Sequence, residues 1–131
     1  MPRQVRADEH ELAEAIRAGA RRRREQAFGT YFEGRTRSDA FGSAYEGIYR
    51  LPADATGIRP KGIYKFFACL DDSVRRCPEK GCPKHLLLDS LLIHLNDDHQ
   101  WTRERIAAYV AGEPAAAPPE SPGTGSPGPT Q

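Results

Sequence analysis

The stretch from Cys77 to His99, CPEKGCPKHLLLDSLLIHLNDDH, spaces two cysteines and two histidines as C-x4-C-x11-H-x4-H. Zinc takes thiolate and imidazole donors at four tetrahedral corners, so a chain that supplies all four locally must turn back on itself. The spacing is near that of two-cysteine, two-histidine fingers, with the middle spacer one residue short. Pro78 and Pro83 follow the cysteines and Gly81 precedes the second, and these residues bend the chain into a knuckle. His94 and His99 stand about 140° apart on an undistorted helix. They can share a metal only if that helix loosens or ends between them. Asn96-Asp97-Asp98 favours an ending, because short polar side chains compete for backbone hydrogen bonds. The expected ligands are Cys77, Cys82, His94 and His99, and the expected ion is zinc. Cys69 and His85 remain as spare donors that could replace one of the histidines. The competing reading is two ordinary buried thiols and a core histidine; four donors at nearly the right spacings favour metal. Asp97 and Asp98 are candidates for holding a ligating histidine from behind.

Length then limits the rest. The chain has 131 residues, room for one domain, with a hydrophobic fraction of 38% and a mean hydropathy of −0.67. No apolar run approaches the roughly 18 residues of a membrane span. The segment MPRQVRADEH is charged, without the apolar stretch of a secretory signal, so cytoplasmic residence and no membrane partner are expected. Three cysteines, an odd number, fit a reducing compartment better than a disulfide framework.

A net charge of +1 conceals an uneven distribution: residues 1–24 carry seven arginines against four acidic residues, and Arg21, Arg22, Arg23 and Arg24 are consecutive. Such a cluster can meet nucleic-acid phosphate or an acidic protein surface. It is also what the solvated C-terminal end of a helix carries, where cations suit the macrodipole.

Periodicity predicts a first helix over about Asp8–Arg23, with Asp8 as cap and Glu11 completing a capping box. Leu12, Ala15, Ile16, Gly19 and Ala20 form its apolar stripe. Ala27–Phe32 reads as a strand, paired with a second strand over Ile63–Leu70 (IYKFFACL). Ser38 is expected to cap a second helix over Asp39–Tyr49, which Gly42 and Gly47 would weaken by up to about 1 kcal/mol each. Leu51–Gly62 is a loop rich in proline and glycine. A third helix is expected over His85–Leu95, and a fourth from Thr102, with Trp101 and Ile106 spaced as a hydrophobic staple. Gly112–Gln131 has six prolines, four glycines and no large apolar residue, and is expected to be a disordered tail. The fold class expected is a small zinc-stabilised α+β domain over residues 8–111, with about four short helices and a two-stranded sheet.

If the third helix read DNA as fingers do, the reading positions would be Leu87, Ser90 and Ile93. Leucine and isoleucine read little on base edges, and Leu86, Leu88, Leu91, Leu92 and Leu95 surround them. That helix is expected to be buried on more than one side, which excludes sequence-specific readout through it.

The segment CPEKGCPKHLLLDSLLIHLNDDHQWTRERIAAYV resembles small bacterial and phage proteins with a cysteine knuckle followed by HLNDDH and then W-[ST]-R-E-x-I-A. ELAEAIRAGA and FGSAYEG are similar to the first half of those proteins. The resemblance covers most of residues 11–110 and implies a shared fold and metal binding, without an activity. The expected function is a non-enzymatic interaction or regulatory module with structural zinc and a protein partner, contacted through the basic first helix. The alternatives are a nucleic-acid-binding accessory protein using Arg21–Arg24, and a small metal-dependent hydrolase using Asp97 or Asp98.

Overall fold

The computed structural model describes residues 5–49 and 62–113. Most of the expected loop over Leu51–Gly62 and nearly all of the expected tail lie outside these residues. Helix α1 spans Ala7–Arg22, and α2 spans Ala40–Tyr49. Three two-residue strands lie between them: β1 (Glu25–Gln26), β2 (Phe32–Glu33) and β3 (Arg37–Ser38). Two 3-10 turns follow at Gly62–Lys65 and Ala68–Leu70, then β4 (Val74–Arg76) and β5 (His85–Leu87). Helices α3 (Leu88–Asp97) and α4 (Arg103–Val110) complete an α+β domain with four helices among the described residues.

The capping box of α1 sits two residues earlier than expected. Arg6 is at the cap position, and its backbone N–H donates to Glu9 Oε1 at 2.8 Å. Asp8 is thereby free to accept from the Cys69 backbone N–H at 2.9 Å, tying the helix start to the second 3-10 turn. Glu9 is buried and pairs with Arg75 Nη2 of β4 at 2.6 Å. Its burial could not be read from the apolar stripe, since a carboxylate enters a core only with a partner brought from elsewhere in the chain.

Helices α1 and α2 cross at glycines. A Cβ on Gly19 would lie 1.8 Å from Ser43 O, and one on Gly47 would lie 2.1 Å from Ala15 O. Gly47, one of the two helix-weakening glycines of α2, is therefore a residue that lets its backbone touch α1, while Gly42 lies against the Tyr31 carbonyl. Asp39, and not Ser38, caps α2, accepting from the Gly42 N–H at 2.6 Å. Ser38 Oγ instead pairs with Ser43 Oγ at 2.7 Å.

The expected pairing of Ala27–Phe32 with Ile63–Leu70 is overturned. Strand β3 lies between β1, to which it runs parallel, and β2, to which it runs antiparallel. Ile63–Leu70 forms the 3-10 turns. Its buried residues Ile63, Phe67, Cys69 and Leu70 do not alternate with exposed ones as a half-buried strand's would, and Phe66 is exposed. Its aromatic and β-branched content suggested a strand, and the burial pattern overrode that preference. The two-stranded sheet of this domain is the β4–β5 hairpin, with Val74 opposite Leu87 and Arg76 opposite His85. His85 belongs to that hairpin, so α3 begins three residues later than expected. Leu88, Leu91, Leu92 and Leu95 of α3 are fully buried, as the leucine pattern predicts, in a core shared with Leu12, Ile16, Ile106 and Val110.

Candidate metal centre

The hairpin and the end of α3 bring the four expected donors together. Cys77 directly follows β4, and Cys82 lies three residues before β5. The Cys77 N–H donates to Lys84 O at 2.8 Å and the Cys82 N–H to Glu79 O at 3.0 Å, closing the loop at both levels. Gly81 takes φ of 86°, a left-handed conformation that costs glycine little. Backbone N–H groups of Glu79 and Lys84 point at the sulfurs of Cys77 and Cys82 respectively.

The histidine side is built by a widened last turn. His94 O accepts from both Asp98 N–H at 2.9 Å and His99 N–H at 3.3 Å, the second a π-type bond. Trp101 N–H reaches back to Leu95 O at 2.9 Å, and Gln100 takes φ of 55°, the one non-glycine positive φ among the described residues. Loosening carries His99 out of its ideal angular position until the two rings lie edge to face, with centroids 4.5 Å apart. This is the distortion the five-residue separation demands.

The donor atoms of Cys77, Cys82, His94 and His99 all lie within 4.8 Å of one another. A tetrahedral zinc with two sulfur and two nitrogen ligands has edges of roughly 3.3–3.8 Å. His94 Nε2 and Cys82 Sγ are already 3.4 Å apart. His94 Nδ1 is engaged by Asp98 Oδ2 at 2.7 Å, which holds the ring and leaves Nε2 facing the sulfurs. His99 Nε2 is buried without a hydrogen-bond partner. A buried imidazole nitrogen in that state is costly, and a metal ion would satisfy it. The residues present therefore fit a metal.

The electrostatics agree. The Lys84 N–H, then the His94 and His99 rings, pull the Cys82 thiol down to about 6, so it is largely thiolate near neutrality. Burial pushes the Cys77 thiol up, against the Glu79 N–H. Desolvation opposes charge on His94, but the Cys82 sulfur and Asp98 outweigh it and raise its pKa.

The spare donors lie elsewhere. His85 is exposed, with Nδ1 3.1 Å from Pro83 O. Cys69 is buried beside Asp8, where burial first and that carboxylate second push its thiol up to about 12. Neither joins the four-residue cluster. Asp97 Oδ1 accepts from Asn96 Nδ2 at 2.8 Å.

The arginine cluster is split. Arg23 is buried, with Nε 2.9 Å from Glu46 Oε1 and Nη1 3.1 Å from the Arg35 carbonyl. Arg22 Nη1 donates to Glu46 O at 2.5 Å. Arg21, Arg22 and Arg24 are exposed. Two supporting residues had no distinct sequence signal. Glu79, inside the knuckle, accepts from Trp101 Nε1 at 2.6 Å, and Arg105 stacks on the Trp101 ring at 3.7 Å. Asn96, fully buried, donates to Ala27 O at 2.8 Å, while its Oδ1 accepts from Gln26 Nε2 at 2.7 Å and Ala40 N–H at 3.1 Å.

No helix among the described residues is long and apolar enough to cross a membrane. Compared with known proteins, the chain matches no family model, no curated protein and no solved structure.

Proposed function

We propose that the chain is a non-enzymatic interaction module whose Cys77, Cys82, His94 and His99 hold a structural zinc ion. The observation that carries the reading is the convergence of four donors with an orphaned, buried His99 Nε2 among them. Two thiolates and two imidazoles suit zinc by softness and geometry. Four protein ligands leave no coordination position for substrate or an activated water, which favours a structural over a hydrolytic role. Asp98, the acid nearest the donors in sequence, is engaged with His94, a use that supports the same role. When bound, the ion ties the hairpin to the end of α3 and supplements a core that a chain of this size builds only sparingly.

The partner we propose is a protein, met through the exposed side of α1. Burial of Arg23 shortens the stripe a nucleic-acid backbone would need, which disfavours the phosphate reading. The test is metal content of the purified chain, with cobalt substitution to read the ligands. Zinc at one ion per chain is expected, with a cobalt spectrum of tetrahedral sulfur–nitrogen type that Cys77→Ser and His99→Ala each alter. A fully folded wild type that contains and takes up no metal would refute the proposal.

A further inference from the structure

The two cysteines of the metal cluster differ in exposure. Cys77 is buried at 2% exposure beneath the hairpin, whereas Cys82 is half-buried, between exposed Gly81 and exposed Pro83 and Lys84. Both sulfurs belong to one tight loop and lie within 4.8 Å of each other. The third cysteine, Cys69, is fully buried and outside that cluster, so it has no sulfur partner. An accessible thiolate beside a second thiolate on the same loop is the arrangement that gives reversible oxidation.

We propose that Cys82 is an oxidation site at which a peroxide ejects the bound metal, with Cys77 as the resolving thiol. The inference rests on the structural-metal reading above. In the first step the Cys82 thiolate attacks one peroxide oxygen; the S–O bond forms as the O–O bond breaks, and the departing hydroxide takes a proton to become water. In the second, the Cys77 thiolate attacks the Cys82 sulfenic sulfur; the S–S bond forms, the S–O bond breaks, and a second water leaves after protonation. Together, two thiolates, one hydrogen peroxide and two protons give one disulfide and two waters. The sulfur pair loses two electrons and the peroxide gains them. Zinc loses both thiolate donors, and His94 and His99 alone do not retain it.

The loop lengths allow this closure. A disulfide needs Cβ atoms about 3.5–4.5 Å apart, and the loop closed by its backbone bonds already holds the two sulfurs within 4.8 Å of each other. Oxidation also has a built-in reporter. Trp101 Nε1 is bonded to Glu79 of the same loop, and Trp101 follows His99 by two residues, so loss of the ion frees both ends of that contact. Trp101 is the chain's one tryptophan, so its fluorescence reads this site without interference.

The test adds hydrogen peroxide to the zinc-loaded full chain, with a chromogenic chelator to follow zinc, intact mass to follow the thiols, and dimedone to trap sulfenic acid. Zinc release in step with disulfide formation, a Trp101 emission shift, and reversal by dithiothreitol plus zinc are expected. With peroxide below stoichiometry, the first dimedone adduct of the wild type is expected at Cys82; in Cys77→Ser that adduct should accumulate several-fold. A first adduct at Cys77 or Cys69, or zinc that stays bound while both thiols remain unmodified, overturns the inference and leaves the metal reading intact. A chain that never takes up zinc overturns the metal reading and the release step with it.

Discussion

Asn96 is where the domain is joined, and Asn96→Ala measures how firmly. Its side chain bridges three segments that are far apart in sequence: the end of β1 through Gln26 and Ala27, the start of α2 through Ala40, and α3 itself. The substitution leaves the Ala40 N–H and the Ala27 carbonyl without these bonds, on residues that are 0% and 1% exposed. Each buried polar group left unsatisfied costs roughly 1–3 kcal/mol. Gln26 Nε2 retains its 2.7 Å bond to Trp101 O and adds little. The expected loss is therefore about 2–5 kcal/mol, a large part of the 5–15 kcal/mol typical of a domain. Urea unfolding at fixed, saturating zinc reads it directly. For a loss of about 3 kcal/mol and a slope near 1.5 kcal/mol per molar urea, the midpoint falls by about 2 M. Asn96→Asp keeps the acceptor for Ala40 but turns the donor facing the Ala27 carbonyl into a second acceptor, so at neutral pH it should be no better than alanine. A loss below about 1 kcal/mol for Asn96→Ala, or one matched by the exposed-site control Ser90→Ala, would show that the three segments are held by something else.

Gly47→Ala should destabilise the fold by about 1–3 kcal/mol, although alanine in an open helix would gain about 1 kcal/mol, because its Cβ meets Ala15 O at 2.1 Å; a raised melting temperature would contradict the close helix crossing. Burial pushes the Asp39 carboxyl up to about 7 from its ordinary 3.8, so between those values the folded chain holds a proton the unfolded chain has lost. Its contribution is thus most favourable below about pH 4 and is lost as pH rises through about 7. Asp39→Asn, which keeps an oxygen for the Gly42 N–H, should be close to the wild type near pH 4 and exceed its stability by up to a few kcal/mol at pH 8, read as the difference in unfolding free energy at fixed zinc saturation; parallel pH profiles for the two proteins would contradict this. Asp98→Ala should weaken zinc binding about 10–100-fold in a chelator competition while Asp97→Ala changes it little, since Asp98 alone contacts His94 Nδ1; equal effects would remove Asp98 from its supporting role.

The local elements were legible wherever one period dominates. The stripe of α1, the leucines of α3 and the Thr102 cap of α4, whose Oγ1 accepts from Arg105 N–H at 3.1 Å, all follow from residues close together in sequence. The strands were not, because strands of two or three residues carry too few positions for alternation to register, and β1, β2 and β3 are all of that length. In Ile63–Leu70 residue type points to a strand, whereas the segment folds as two 3-10 turns. The hairpin around the cysteines could have been inferred, since a knuckle needs its two arms held side by side, yet Val74–Arg76 is basic and partly exposed and gives no apolar signal.

The site was more legible than the fold around it, and the reason is chemical. Metal ligands must be a few residue types at constrained spacings, so C-x4-C-x11-H-x4-H carries its meaning in one short window. The residues that aim those ligands are not so constrained. Glu79 could support Trp101 with any acceptor of suitable reach. Asn96 lies in the polar run that marks the end of α3, and nothing local distinguishes it from Asp97 beside it. What separates them is the roughly 100° between successive helix positions: Asn96 faces the β1–α2 junction and is fully buried, while Asp97 is only partly so. The same polar run thus ends the helix, widens its last turn so that His99 reaches His94, and supplies through Asn96 the buried joint that keeps that turn against β1 and α2. Spacing can predict that the turn must distort; the partners of Asn96 explain why it stays distorted, with the four candidate donors within reach of one another.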